Sequence, residues 1–218
     1  CYTTIPLAED STGKISAKAI DAILNAVEDN DVIAFGPGIG ISAGVKTVIE
    51  NLLRQENLRL VIDADGLNNL SNIRDWPKIN KSKVILTPHP GEMKRLWSGL
   101  FRTSQPEDRQ TAAIEFAQES GVVVILKGFQ TVVADNEKYY INTTGNPGMA
   151  TAGTGDVLAG TITALFGQKL DSFAAAQLGV YVHSLAGDLA AKDKGQVSLI
   201  ATDLIEYLPQ AFKAASGV

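Results

Sequence analysis

The sequence predicts an α/β protein whose parallel β-sheet is covered by helices on both faces. Short runs of β-branched residues alternate with longer segments that carry apolar residues at helical spacing. The strand segments are apolar at consecutive positions, as in Val122–Leu126, and such strands need cover on both faces. The 218 residues contain no internal repeat and no linker long enough to separate two units. We therefore expect one domain over residues 1–218.

The predicted elements follow one another in a regular order and are separated by Gly, Pro, Asp and Asn. Strands are predicted where Val, Ile and Leu cluster: Val32–Gly36, Leu58–Asp63, Val84–Thr87 and Val122–Lys127, then a hairpin of Thr131–Ala134 and Tyr139–Asn142 around Asp135-Asn136. Helices are predicted where apolar residues recur three or four positions apart: Ala43–Gln55, a short segment from Gly66, a helix from Glu92, Pro106–Glu119, Asp156–Phe166, Ser172–Lys192 and Thr202–Ala215.

Composition excludes several classes of protein. The formal net charge is −5 and the pI is about 5.1. Proteins that bind the phosphates of nucleic acids usually carry a net positive charge instead. A single cysteine, Cys1, permits no internal disulfide and no cysteine-based zinc site. No apolar run approaches the roughly 18 residues of a membrane span, and no signal peptide is visible. The sequence thus predicts a cytoplasmic protein that binds neither nucleic acid nor membrane. Because both methionines are internal, we expect residues before Cys1.

Glycine is concentrated in one segment of the chain. Five of the 20 glycines lie within Gly145–Gly160, in a small, polar run that leads straight into a predicted helix. Glycines let backbone N–H groups face a ligand, and the start of a helix adds unpaired donors and partial positive charge. We therefore expect this segment to bind a phosphate group. The alternative is a plain connection in which Asp156 caps the helix. The segment is not a P-loop, because Thr154 follows Gly153 where that motif requires Lys.

A second glycine-rich turn gives a competing signal. Gly38-x-Gly40-x-x-Ala43 follows a strand and precedes a helix, and Asp63 ends the next strand, as in the dinucleotide-binding fingerprint. This pattern favours a nicotinamide-dependent oxidoreductase. The pattern is short, however, and Pro37 stiffens the turn, so an ordinary strand-to-helix turn without a ligand explains it as well.

Five motifs in order resemble those of the ADP- or ATP-dependent NAD(P)H-hydrate dehydratase family, a branch of the ribokinase-like superfamily. They are Gly36–Gly40, Val61–Asn68, Leu86–Glu92, Leu126–Thr131 and Asn142–Asp156. The resemblance implies a ribokinase-like three-layer α/β/α sandwich with a mostly parallel central sheet, lacking its N-terminal strand or strands in this chain. It also implies a lyase that restores NADH or NADPH from the hydrates (6S)-NADHX or (6S)-NADPHX. The chain departs from the pattern at Ala152, where many members have Gly. The methyl group of alanine would be accommodated there if the φ angle of this residue is negative.

The resemblance also implies the roles of individual residues. Asp156 would be the catalytic base and would contact the substrate together with Gly38, Gly40 and His89. Nucleotide would be bound by two segments: Lys127, Gly128, Phe129, Gln130 and Thr131, and Gly153, Thr154 and Gly155. Glu92 would hold Mg²⁺ through water. ADP or ATP would donate the phosphoryl group, the protein would form a homo-oligomer such as a tetramer, and an NAD(P)H-hydrate epimerase would be a fused domain or a partner.

Each of these residues also has a structural explanation. Lys127 could be a solvated residue at a strand end, His89 a structural histidine and Glu92 a first-turn acid that suits the helix dipole. Asp63, Asp65 and Asn68 could orient ribose or water, but a turn of this composition needs no ligand. Mid-helix His183 favours a packing role, and Ser172–Lys192 could pack subunits together. The remaining alternatives for function are a ribokinase-like kinase of a small alcohol and a nucleotide-binding module without activity.

Overall fold

A computed structural model describes residues 3–217 of the chain, so that Cys1 lies outside the described residues. Its centre is one six-stranded sheet in the order β1-β2-β3-β4-β5-β6. The strands are β1 (Ile33–Phe35), β2 (Arg59–Ile62), β3 (Lys83–Leu86), β4 (Val123–Leu126), β5 (Val132–Ala134) and β6 (Tyr139–Ile141). Strands β1 to β4 are parallel, and β5 and β6 add an antiparallel hairpin to β4. The mostly parallel sheet confirms the predicted fold class.

One face of the sheet is covered by the helices that connect the parallel strands. Crossovers between parallel strands are right-handed, so strands that advance in one direction place their connecting helices on the same face. These helices are α2 (Ala43–Leu53), α3 (Asp65–Leu70), α4 (Trp76–Ile79), α5 (Pro90–Leu100) and α6 (Arg109–Ser120). Their apolar residues form one core with alternate strand residues such as Leu60 and Leu86. The preceding helix, α1 (Ile20–Glu28), packs at the edge of this layer.

The opposite face is covered by the C-terminal helices. The other alternate strand residues, among them Val61 and Ile85, form a second core with α7 (Thr154–Gly167) and α8 (Ser172–Lys194). The last helix, α9 (Ala201–Ser216), packs on α8 outside the sheet. The three layers explain why the strands are apolar at consecutive positions. Within residues 3–217, no helix combines the length and apolarity that crossing a bilayer requires.

The predicted helices differ from the observed ones mainly at their first residues. The helix expected from Glu92 begins at Pro90, because His89 caps it and proline suits the first helical position. The helix expected from Asp156 begins at Thr154, with Gly153 at the N-cap. Asp156 therefore lies in the first turn of α7 rather than at the cap. Helices α1 and α4 were not predicted. The missed α1 carries Ile20, Ile23, Leu24 and Val27 at helical spacing, and these residues pack on the core.

Candidate active site

Charged side chains converge where the parallel strands end, at the edge where open α/β sheets bind their ligands. Asp63 follows β2, Glu92 is the third residue of α5, which follows β3, and Lys127 follows β4. Lys127 Nζ lies 2.8 Å from Asp63 Oδ1 and 3.9 Å from Glu92 Oε2. Both carboxylates are buried, so this cluster of two acids and one lysine is already assembled by the fold.

His89 and Glu92 close the start of α5. His89 Nδ1 accepts the N–H groups of Gly91 and Glu92, and Glu92 Oε2 accepts the N–H of His89 at 2.7 Å. This reciprocal arrangement is a capping box with histidine in place of Ser or Thr. One ring nitrogen of His89 is thus used by the helix, while its half-exposed Nε2 edge lies 3.4 Å from Glu92 Oε1.

A cavity of about 650 Å³ opens beside this cluster. It is lined by the whole of the predicted nucleotide segment 127–131, by the glycine-rich run before α7 and by Thr154 and Gly155. Its remaining walls come from the residue after β6 and from α7 and α8: Asn142, Leu158, Val180, His183 and Ser184. Phe129 stands at the cavity with 86 % of its surface exposed. The structure thus brings together two sequence segments that were each predicted to contact nucleotide.

The first turn of α7 offers unpaired donors toward this region. Gly153 has φ +88°, which allows the chain to turn into the helix. Within residues 3–217, the N–H groups of Gly153, Gly155 and Asp156 have no protein acceptor. A Cβ built on Gly155 would lie 3.8 Å from Lys127 Nζ, so the ammonium group faces this turn. Two sources of positive potential therefore meet at the cavity edge.

Asp156 lies on the other side of the same turn. Its side chain is exposed and lines a groove of about 520 Å³ between α7 and α9, together with Gly160, Ala164, Ile205, Leu208 and Phe212. Gly155 lines the cavity and Asp156 lines the groove. The start of α7 therefore separates two spaces that differ in chemistry, since most of the groove's lining side chains are apolar.

The glycine-rich loop before α7 is held from α8. Asp188 Oδ2 accepts the N–H of Gly145 at 2.8 Å, and Asp188 Oδ1 accepts Asn146 Nδ2 at 2.9 Å. Asn142 Nδ2 donates to Ser184 Oγ at 2.9 Å. These contacts fix the loop at the cavity rim before any ligand arrives. The positive-φ non-glycine residues among those described do not include Ala152, so a methyl group is accommodated there as predicted.

His183 connects α8 to the first turn of α7. Its ring is buried, and Nε2 lies 2.9 Å from the carbonyl oxygen of Thr154, which requires the proton on Nε2. Burial lowers the pKa of His183 to about 4, so the ring is neutral at neutral pH. The packing role expected for His183 holds, and the residue also lines the cavity.

The Gly36–Gly40 turn lies outside the cavity. The Gly40 N–H donates to Asp65 Oδ2 at 2.9 Å, and Asn69 Nδ2 donates to the Gly40 carbonyl. The start of α2 is capped by the hydroxyl of Ser42. Donors that a dinucleotide fingerprint would direct at pyrophosphate are thus used within the protein. Ala64, in the adjoining turn, has φ +48°, a conformation that is uncommon for alanine.

Comparison with known proteins identifies the family. The family model described as NAD(P)H-hydrate dehydratase matches residues 5–210. The chain belongs to this family. It is 42 % identical over 211 residues to the bifunctional NAD(P)H-hydrate repair enzyme Nnr of Moorella thermoacetica, covering 96 % of the chain and 40 % of that protein. It is 38 % identical over 192 residues to the enzyme of the same name from Escherichia coli, covering 87 % of the chain and 36 % of that protein. The chain thus spans about two fifths of the length of these relatives.

Solved structures support the same assignment. The ADP/ATP-dependent NAD(P)H-hydrate dehydratase of Bacillus subtilis, co-crystallised with ATP and Mg²⁺, is 29 % identical with a TM-score of 0.74. The alignment covers 93 % of this chain and 79 % of that protein. A hydroxyethylthiazole kinase from Pyrococcus horikoshii aligns with a TM-score of 0.65 at 15 % identity, which shows a shared fold alone. The NAD(P)H-hydrate dehydratase family is therefore supported by sequence and by structure, and the ribokinase-like fold is confirmed.

Several residues of the site were not predicted from the sequence. Asp188 and Ser184 hold the glycine-rich loop but lie on α8, more than 40 positions away. Arg109, the first residue of α6, contacts the segment 126–129. A signal existed only for Asp188, a charged residue within an otherwise small and apolar stretch of a long helix.

Proposed function

We propose that residues 1–218 form one dehydratase domain that converts (6S)-NADHX or (6S)-NADPHX into NADH or NADPH at the expense of ADP or ATP. The proposal is supported by membership of the NAD(P)H-hydrate dehydratase family. The observation that carries the geometry is the first turn of α7, which adjoins the cavity through Gly155 and the groove through Asp156. A nucleotide in the cavity and a hydroxyl group presented to Asp156 would meet at the unpaired backbone N–H groups of this turn.

In this proposal the nucleotide occupies the cavity. Its contacts are Lys127, Gly128, Phe129, Gln130 and Thr131 on one side and Gly153, Thr154 and Gly155 on the other. The terminal phosphate would lie against the N–H groups of α7, where fixed donors stabilise charge that builds on the transferred phosphoryl group. Lys127, whose ammonium group is held in place by its ion pair with Asp63, would add positive charge beside the phosphate.

The hydrated nicotinamide ring would contact Gly38, Gly40 and His89, which line neither the cavity nor the groove, and would present its hydroxyl to Asp156. Asp156 would take the proton of the C6 hydroxyl as that oxygen attacks the terminal phosphorus. The new C–O–P linkage makes the oxygen a leaving group, and phosphate departs as the ring nitrogen donates its electron pair. The terminal P–O bond of the nucleotide breaks as the phosphoryl group moves, so that the nucleotide leaves with one phosphate fewer. Breaking of the C6–O bond leaves an iminium ion, and loss of a proton from C5 to solvent restores the reduced ring. A positioned base of this kind contributes about 10²–10⁴-fold.

Mg²⁺ fits the chemistry of the residues present. Within the described chain, no group of three His, Cys, Asp or Glu side chains forms a metal site of its own. The carboxylates of Asp63 and Glu92 outnumber the single Lys127, and hard oxygen donors of this kind suit Mg²⁺ held through water. When bound with the nucleotide, the cation would neutralise charge on the phosphates, and Glu92 would reach it through water.

The proposal extends to partners of the chain. The relatives are named bifunctional repair enzymes and are longer than this chain, and we propose NAD(P)H-hydrate epimerase as the companion activity. Homo-oligomers, such as tetramers, are proposed as the assembly. Size-exclusion chromatography with light scattering measures the assembly, and an epimerisation assay on the full-length protein tests the companion activity.

The deciding experiment incubates the purified protein and Mg²⁺ with NADHX or NADPHX, and with ADP or ATP in parallel. Recovery of the near-ultraviolet absorbance of the reduced ring is expected, with one inorganic phosphate released for each ring restored. A ribokinase-like kinase would leave the phosphate on its substrate instead. Nucleotide consumption without ring recovery, or ring recovery without a nucleotide, would refute the proposal.

A further inference from the structure

Arg109 makes an unusual set of contacts at the end of β4. The residue is the first of α6, and its guanidinium group donates to three backbone carbonyls, those of Leu126, Lys127 and Phe129. Nη2 lies 3.1 Å from the Leu126 oxygen and 3.0 Å from the Lys127 oxygen, while Nη1 contacts the Phe129 oxygen. One side chain thus contacts three of the four residues 126–129.

No carboxylate accounts for the position of this arginine. Among the ion pairs within residues 3–217, none involves Arg109. Burial lowers the pKa of Arg109 below its ordinary value, and no neighbouring acid opposes that shift. Arg109 Nε is buried without a hydrogen-bond partner. A partly buried guanidinium whose acceptors are all carbonyls loses hydration without gaining an ion pair, which points to a role for the segment it holds.

A larger residue at position 128 would strain the segment and displace the guanidinium. Gly128 has φ +142°, and a Cβ there would lie 2.9 Å from Arg109 Nη2. Gln130 has φ +54°, and the hydroxyl of Thr131 closes the turn onto the Gly128 carbonyl at 2.9 Å. The guanidinium therefore packs directly on a turn of uncommon backbone geometry.

This turn positions two groups of the candidate site. Its first residue, Lys127, directs Nζ to Asp63 and toward the start of α7, and its third, Phe129, stands exposed at the cavity. We propose that Arg109 is a positioning residue that holds segment 127–131 in the shape that binds nucleotide. The inference rests on the proposed function, because it takes the cavity as the nucleotide site. Arg109 acts through the backbone carbonyls it binds.

The experiment compares wild type with Arg109→Met, which keeps the apolar stem but removes all donors, and with Arg109→Lys. Arg54→Met removes an exposed arginine at the end of α2 and serves as the matched control. Titration calorimetry with ADP and with ATP plus Mg²⁺ gives the dissociation constants. We expect Arg109→Met to weaken nucleotide binding by about tenfold or more, since misplacing a binding group carries such losses. The KM for the hydrated dinucleotide should stay within about twofold.

A second readout separates positioning from general stability. Adding guanidinium ion at low millimolar concentration should restore part of the nucleotide affinity of Arg109→Met, and leave Arg54→Met unchanged. Arg109→Lys should bind nucleotide about threefold or more weakly than wild type, since one ammonium cannot reproduce the planar fork. Hydrogen exchange at residues 127–131 in the free protein should accelerate in both Arg109 variants.

Three results would overturn the inference. The first is an Arg109→Met protein that binds nucleotide within about twofold of wild type. If that variant does not fold, an Arg109→Lys protein with wild-type affinity has the same meaning. The third is a wild-type protein that binds neither nucleotide, which would refute the proposed function and this inference together. The first two results refute the role of Arg109 alone.

Discussion

Lys127 Nζ and Asp63 Oδ1 lie 2.8 Å apart across the carboxyl ends of β2 and β4, with β3 between them. The Asp63 side chain is 4 % exposed and that of Lys127 is 19 % exposed. Water therefore screens this ion pair little, unlike the exposed pair of Lys78 and Asp75. The pair connects the sheet to the proposed nucleotide site.

Replacing Asp63 with Asn should destabilise the protein by about 3 kcal/mol, because it leaves the Lys127 ammonium with only the more distant Glu92. Lys127→Met should lower the free energy of unfolding by a similar amount. The double variant should lower it by less than the sum of the two single losses. Urea unfolding of all four proteins measures the coupling. Asp75→Asn, which breaks the exposed pair, should leave stability unchanged. Additive effects of Asp63→Asn and Lys127→Met would show that the pair is not coupled.

Asp156→Asn should lower kcat by about 10²–10⁴-fold, because the amide cannot accept the hydroxyl proton. The nucleotide dissociation constant should change by no more than about threefold, since the Asp156 side chain lies on the groove side of α7. The matched control is Asp21→Asn, which alters an exposed first-turn acid of α1. Steady-state assays and calorimetry provide the two quantities. Turnover near the wild-type level would remove Asp156 from the mechanism.

His183 predicts a specific pH dependence of stability. Its pKa is about 4 in the folded protein against an ordinary value of 6.5, and burial is the principal cause. The unfolded chain therefore binds a proton between these values while the folded chain does not, and stability falls as pH drops through that window. Between about pH 7 and pH 5 this single group should account for about 2 kcal/mol.

The test is urea unfolding of wild type and His183→Gln at several pH values within that window. Glutamine keeps an N–H donor for the Thr154 carbonyl but does not titrate. The stability difference between the two proteins should shrink or reverse as pH falls. Parallel curves for wild type and His183→Gln would refute the prediction.

The sequence predicted the sheet better than it predicted the site. Consecutive apolar residues identify β2, β3 and β4, because all residues of these strands except the first of β2 and of β3 are buried, whichever face they meet. Local motifs likewise identified segment 127–131 and the glycine-rich loop. Arg109 and Asp188 hold these two segments from helices. The sequence around Arg109 gives no sign of this role, and Asp188 is marked only as a charged residue within a small and apolar stretch. A contact between a helix side chain and a distant segment leaves no local pattern that identifies the partner.

Two glycines should respond in opposite directions to substitution by alanine. Gly36 has φ +136°, and a Cβ there would lie 1.8 Å from the Asp63 carbonyl oxygen. Gly36→Ala should therefore destabilise the protein by more than about 2 kcal/mol, since the β1 and β2 ends must separate. Gly160 lies within α7, and a Cβ there would meet nothing within 4 Å. Gly160→Ala should stabilise by about 0.5–1 kcal/mol through helix propensity.

The same alanine at Gly160 also probes the groove, which Gly160 lines beside Asp156. A methyl group there should raise the KM for the hydrated dinucleotide while the nucleotide dissociation constant stays constant, because the cavity lies on the other side of the helix start. Thermal unfolding and steady-state kinetics on the same preparation measure both effects. A stabilised Gly160→Ala protein with an unchanged KM for the hydrated dinucleotide would show that this substrate binds outside the groove. Weakened nucleotide binding would contradict the separation of the cavity from the groove by the start of α7.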